Sequence, residues 1–233
     1  MLGNKDLIID YEEMLKADGA VTKLSPIYFR NADLAEKRVA ALVRYVCEYI
    51  LYLSPNEAAN MLTMNILDKL KLKKMISDYV TFPGGLNEDG EKIRYLLSLA
   101  YPNAGLFSYR KWAREVFQKV LSAKNQDKKM AYPKKFFSGN NGTYNAMLCL
   151  DYMISISFDK TIPELYEFFA DTPKITAMLK KYNLWTACAL LYEKDPLLYL
   201  HFSLSDEDKD WFLFKYYIFK RDFEKIRTAA SHG

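Results

Sequence analysis

Val39, Leu42, Val43, Val46 and Ile50 lie three and four positions apart, the spacing that lines one face of an α-helix, and Met147, Leu150, Met153 and Ile154 repeat it later. The pattern predicts long amphipathic helices over 32–52 and 140–157. A proline and a phenylalanine open each stretch, Pro26 and Phe29 before the first and Pro133 and Phe136 before the second. Pro26 to Tyr45 runs without a gap onto Pro133 to Tyr152.

The parallel continues downstream. Ser54, Pro55 and Glu57 form a capping box with proline at the first helical position, and Thr161 with Glu164 offers the same box in the second stretch. Helical periodicity then slips at Lys71 and at Asn183, which predicts a helix end at each. A short helix follows, Met75, Ile76 and Tyr79 answering Ala187, Cys188 and Leu191, and each stretch closes on an apolar helix, at Tyr95–Tyr101 and at Pro196–Phe202. Thr81 to Gly90, rich in Gly, Pro and acids, reads as a surface loop without a counterpart. The organisation expected is an all-α protein of two related multi-helix units, 23–102 and 130–204. An N-terminal helix (1–22) precedes them, a basic linker helix (103–129) joins them, and an aromatic helix with its tail (205–233) closes them.

Composition supports helices and a sizeable core. Half of the 233 residues are apolar, with only 9 Gly and 8 Pro against 14 Phe and 18 Tyr, which argues against disorder and against a turn-rich β-sandwich. Cys47, Cys149 and Cys188 are odd in number and each sits in an apolar helical pattern, so they read as reduced, buried thiols rather than disulfides or zinc ligands. Residues 1–10 lack an apolar export core and no run is long enough to span a bilayer, so a cytoplasmic protein without membrane partners is expected.

Several segments together carry a resemblance. Pro26 to Phe29, then R-Y-V-C-E-Y-I-L-Y-L-S-P-N-E-A from Arg44, K-L-K-L from Lys69 and S-L-A-Y-P from Ser98 resemble an uncharacterised helical domain family of Firmicutes. Y-P-K-K-F-F-S-G from Tyr132 and E-L-Y-E-F-F from Glu164 are similar to a companion region, so that the resemblance covers about residues 20–220. It implies a bacterial lineage and a helical fold, and supplies no activity, cofactor or site residue. Asn103 to Phe107 departs from the family, whose members place G-K and an aromatic after A-Y-P.

The chemistry-bearing residues argue against catalysis. With His201 and His232 the only histidines, a Ser-His-Asp triad or a His-rich metal site is not expected, and His201, between Leu200 and Phe202, reads as a satisfied, partly buried side chain. None of the cysteines has a histidine near it in sequence. Asp206, Glu207, Asp208 and Asp210 fall where acids cap a helix. The glycines of Ser138 to Thr143 have no strand before them to make a phosphate cradle and read as a loop ending in a cap. No enzyme, cofactor or metal is expected.

Two features point to binding. Lys69, Lys71, Lys73 and Lys74 cluster at a break between short helices, and Arg110, Lys111 and Arg114 follow on the linker, where seven lysines and arginines meet two acids over 103–129, a net +5. Short helices with a basic face suggest DNA binding, while a lysine-rich helix is as readily a solvated surface, and the pI of 8.7 is modest. The second feature is Trp211 to Phe223, apolar around nearly its whole circumference. Such a helix is expected either to thread the core between the two units or to meet a partner, another protein or a second copy, through Trp211, Phe214 and Tyr217. Function is thus expected to be regulatory and non-enzymatic, through DNA or through a helical protein interface.

Overall fold

The computed structural model describes residues 3–17, 23–126 and 130–231. Among them the chain forms 13 α-helices and no strand, so the protein is all-α as its periodicity predicts. The chain divides into two compact units, Met1–Ser108 and Tyr109–Gly233. Residues 18–22, the linker's last residues Asp127, Lys128 and Lys129, and His232 lie outside the described residues.

The first unit comprises α1 (Asn4–Lys16), a 3-10 turn (Pro26–Phe29), α2 (Ala32–Tyr45), which runs on into a π-helical turn (Val46–Ile50), then α3 (Pro55–Met61), α4 (Met64–Lys69), α5 (Lys73–Tyr79) and α6 (Asp89–Ala100). The stripe Val39, Leu42, Val43 and Val46 is fully buried, and α2 packs mainly on α6, where Leu96 and Leu97 are fully buried as well. The capping box starts α3 as read: the Ser54 hydroxyl accepts from the Glu57 amide at 3.4 Å, and the Glu57 carboxylate accepts from the Ser54 amide at 2.8 Å.

In the second unit α7 (Tyr109–Asn125) leads to an aromatic turn and then to α8 (Gly142–Ser157), α9 (Ile162–Ala170), α10 (Thr172–Lys181), α11 (Trp185–Leu191), α12 (Pro196–Ser203) and α13 (Trp211–Ser231). Here the long helix α8 packs on α12 and α7. The segment expected to link the units contributes α7, whose stripe Trp112, Ala113, Val116, Phe117 and Val120 is buried within the second unit. In the first unit α1 has Leu7, Tyr11 and Met14 buried and α2 as a neighbour.

The helix ends read from Lys71 and Asn183 are built alike. Lys71 (φ 57°) and Asn183 (φ 59°) are both left-handed. Leu72 N donates to Leu67 O at 2.8 Å and Lys71 N to Asp68 O at 2.9 Å; Leu184 N donates to Leu179 O at 2.7 Å and Asn183 N to Lys180 O at 3.2 Å. These are paired Schellman closures, and the leucines that bracket each, Leu67 with Leu72 and Leu179 with Leu184, are all fully buried, which is the hydrophobic contact the motif favours.

The long helices also share a buried polar anchor. Arg38 of α2 donates to the carbonyl of Tyr28, and Asn145 of α8 donates from Nδ2 to the carbonyl of Phe136 at 2.7 Å. Each thereby satisfies a backbone acceptor in the aromatic turn that precedes its helix, a group whose burial without a partner is costly. Gly142 has a separate reason for lacking a side chain: a Cβ there would lie 2.2 Å from the Phe137 carbonyl oxygen.

One expectation is overturned. α13 does not thread a core, since none of its described side chains is fully buried; it lies on α9 and α12 of the second unit. A helix apolar all round needs burial on several faces only if its whole circumference is excluded from water, and here one face is covered while another stays exposed.

Candidate interaction surfaces

The lysines of the predicted cationic cluster in the first unit sit on α4, on α5 and in the turn between them. Lys69, Lys73 and Lys74 are exposed, and Lys73 approaches Asp68 at 3.6 Å. Lys71 is exposed too, but its ammonium donates to the carbonyl of Met14 at 2.8 Å, at the C-terminal end of α1. Tyr11 of α1 donates to the Leu70 carbonyl at 2.7 Å, so the two elements close each other's helix ends.

Arg110, Lys111 and Arg114 lie on the exposed side of α7 in the second unit, and acids or rings meet each of them. Arg110 is 3.7 Å from Asp151, Lys111 is 4.0 Å from Glu115, and Arg114 lies over the Tyr152 ring at 5.1 Å. Lys124, which the charge count did not single out, donates to Lys180 O at 2.6 Å and Asn183 Oδ1 at 2.9 Å, tying α7 to the left-handed closure of α10.

α13 is attached by a small polar network and an aromatic stack. Asp210 caps its first turn, accepting from the Phe212 and Leu213 amides at 2.9 Å. The Tyr166 hydroxyl bridges the Asp210 amide, at 3.3 Å, and Nδ1 of His201, at 2.6 Å. Phe214 stacks on the His201 ring at 4.2 Å and Trp211 meets it edge-on at 4.3 Å. His201 is buried, as its neighbours Leu200 and Phe202 suggest, yet only half satisfied, because its Nε2 finds no partner among the described residues. Burial lowers the imidazole pKa, and Lys209 adds to the shift while Asp210 opposes it. Further along, Arg221 pairs with Asp195 at 2.8 Å, while the other Asp195 oxygen caps α12.

This attachment uses the face made by Leu213, Phe214, Tyr217, Ile218 and Arg221, all half-buried. Of the expected interface residues, Trp211 is 52 % exposed although its ring touches His201, whereas Phe214 and Tyr217 belong to the attached face. The outward face carries a different set: Phe212 (79 % exposed), Tyr216 (47 %), Phe219 (71 %) and Phe223 (57 %). Their spacing of four, three and four keeps them on one stripe, and Phe219 and Phe223 stack at 6.1 Å. The helical period contained this stripe, but choosing it from a helix aromatic on every side required knowing where α9 and α12 lie.

Beside the attached face an open groove of about 890 Å³ is lined by Lys160, Glu164, Glu167, Lys174, Tyr217 and Arg221 among others, with both signs of charge intermixed. Cys47, Cys149 and Cys188 are buried, and burial raises their thiol pKa values, to about 11 for Cys47 and about 12 for Cys188. Among the described residues no group of three or more His, Cys, Asp and Glu is placed to hold a metal ion, and no helix is long and apolar enough to cross a membrane.

A family described as a protein of unknown function (DUF4046) matches residues 7–105. That span takes in most of α1 and all of α2 to α6, so it follows the first compact unit closely, and it starts ahead of and stops well short of the 20–220 that the resemblance suggests. No curated protein and no solved structure matches.

Proposed function

We propose that this is a non-enzymatic regulatory protein that acts through protein contact, with the outward face of α13 as its docking surface. The observation that carries the reading is the stripe of Phe212, Tyr216, Phe219 and Phe223, four large aromatic side chains left in water on one line of a helix whose opposite face is fixed by Phe214 and Arg221. Exposed aromatic rings in a contiguous row are disfavoured on a surface that meets only solvent, and aromatic residues are what the buried centres of interfaces are enriched in. The test is photo-crosslinking in cells from an unnatural aromatic residue at 219, with position 37 on α2 as the control. The reading expects covalent protein adducts from 219 and none from 37; absence of any adduct from 219 overturns it.

A second reading, DNA binding, is favoured by the exposed Lys69, Lys73 and Lys74 around the tight α4–α5 turn, a short-helix pair with a basic edge. It ranks below the first because the Lys71 ammonium is already hydrogen-bonded to the Met14 carbonyl and acids or a ring already meet Arg110, Lys111 and Arg114.

A further inference from the structure

The outward stripe of α13 has the register of one seam of a coiled coil. Phe212 to Tyr216, Tyr216 to Phe219 and Phe219 to Phe223 step by four, three and four, which makes Phe212 and Phe219 d positions and Tyr216 and Phe223 a positions. The flanks follow from that assignment. Lys215 and Asp222 occupy g positions, and Leu213, Lys220 and Arg227 occupy e positions.

We infer that the occupant of this stripe is a second copy of the same helix, paired antiparallel, a claim that rests on the stripe being a docking surface at all. In the antiparallel register that layers Tyr216 on Phe219 of the other copy, Phe212 falls on Phe223. The g positions then face each other, placing Lys215 beside Asp222 of the other copy, and the two-fold symmetry repeats the pair. Opposite charges meet at both ends of the seam, while on the other flank Leu213 meets the aliphatic stem of Lys220. Asp222 also accepts from Arg221 of its own chain at 3.3 Å and stays 53 % exposed, so it can serve both cations.

A parallel pairing is disfavoured by the same charges. There g positions face e positions five residues on, which opposes Lys215 to Lys220 and gains only Asp222 against Arg227. The antiparallel seam has no like-charge pair.

The size of the stripe sets the strength. With exposures of 79, 47, 71 and 57 %, the four rings offer roughly 500 Å² per copy, taking about 200 Å² for each full aromatic side chain. Two copies then bury about 1,000 Å², the lower edge of specific interfaces, so the dimer forms reversibly in the micromolar range rather than as an obligate assembly.

Sedimentation equilibrium of the full chain over a wide concentration range tests this. The wild type should show a monomer–dimer equilibrium. Phe219→Glu should abolish the dimer with its circular dichroism and unfolding midpoint unchanged, and Phe212→Glu takes its place if that variant does not fold. Lys215→Glu should weaken the dimer about tenfold, as expected for a close opposite-charge pair made repulsive twice over. Adding Asp222→Lys to Lys215→Glu should restore it. A wild type that stays monomeric overturns self-pairing, as does a dimer that survives Phe219→Glu, and tighter association of Lys215→Glu overturns the antiparallel sense because only a parallel seam gains from that change. A monomeric protein that still gives adducts to another protein from position 219 in cells removes the second copy as occupant and leaves the docking surface standing; a monomer without adducts removes both.

Discussion

The imidazole of His201 lies flat on the ring of Phe214, 4.2 Å between centroids and 15° from parallel, and so joins α13 to α12. Phe214 is only half-buried, so replacing it with alanine should cost less than a core aromatic would. Phe214→Ala is expected to lower the stability of the second unit by roughly 2 kcal/mol, from lost area and the lost ring pair. Trp112, Trp185 and Trp211 all lie in the second unit, so urea unfolding followed by tryptophan fluorescence reads it selectively. A change within error would show that α13 is held without the stack.

The same histidine predicts a pH dependence. Its pKa is lowered in the folded state, so below the ordinary value of 6.5 the unfolded chain binds the proton that the folded chain resists. Stability from this group is therefore complete above 6.5 and is lost as the pH falls from there toward the folded pKa. The tryptophan-detected unfolding midpoint should drop as the pH falls below 6.5 in the wild type and drop less in His201→Gln. Equal slopes in the two proteins would assign the acid sensitivity to other groups.

Asn145 serves two partners at once, donating to Phe136 O and accepting from the Tyr109 hydroxyl, each at 2.7 Å. Asn145→Ala strands the Phe136 carbonyl and removes one acceptor of the Tyr109 hydroxyl, and should cost about 2 kcal/mol, more than the loss of one ordinary exposed hydrogen bond. Asn145→Asp keeps the acceptor and loses the donor. It should also destabilise, since it sets a carboxylate against the Phe136 carbonyl in a buried site. Denaturant titration of the two variants beside the wild type checks both outcomes.

The DNA-binding reading predicts that random duplex is shifted at low salt and that Lys73→Glu with Lys74→Glu weakens the shift while flattening its salt dependence, by about 0.9 in log–log slope for each phosphate no longer neutralised. Titration at several salt concentrations measures this. The absence of any shift by the wild type at low salt would remove the reading.

Local chemistry was legible because it acts over three to five residues. The capping boxes at Ser54 and Thr161 and the left-handed closures at Lys71 and Asn183 each join groups within a single turn, and each stands where the residues place it. Arg38 was not legible as a core residue: its charge marks a surface position until the Tyr28 carbonyl is placed beside it. Lys71 and Lys124 likewise read as surface charge, and become ties between helices only once α1 and α7 are packed.

The sequence by itself determined the all-α class and most helix ends, and it marked Trp211 to Phe223 as a helix with more apolar surface than one neighbour can cover. It could not choose the covered side, because aromatics stand at nearly every angle around that helix and periodicity alone ranks none of them. Only the placement of α9 and α12, with His201 and Asp195 aimed at Phe214 and Arg221, turned Phe214 and Tyr217 inward and left Phe212, Tyr216, Phe219 and Phe223 in water. Which stripe of a uniformly apolar helix is covered depends on contacts from residues far away along the chain, and those contacts exist only in the folded protein.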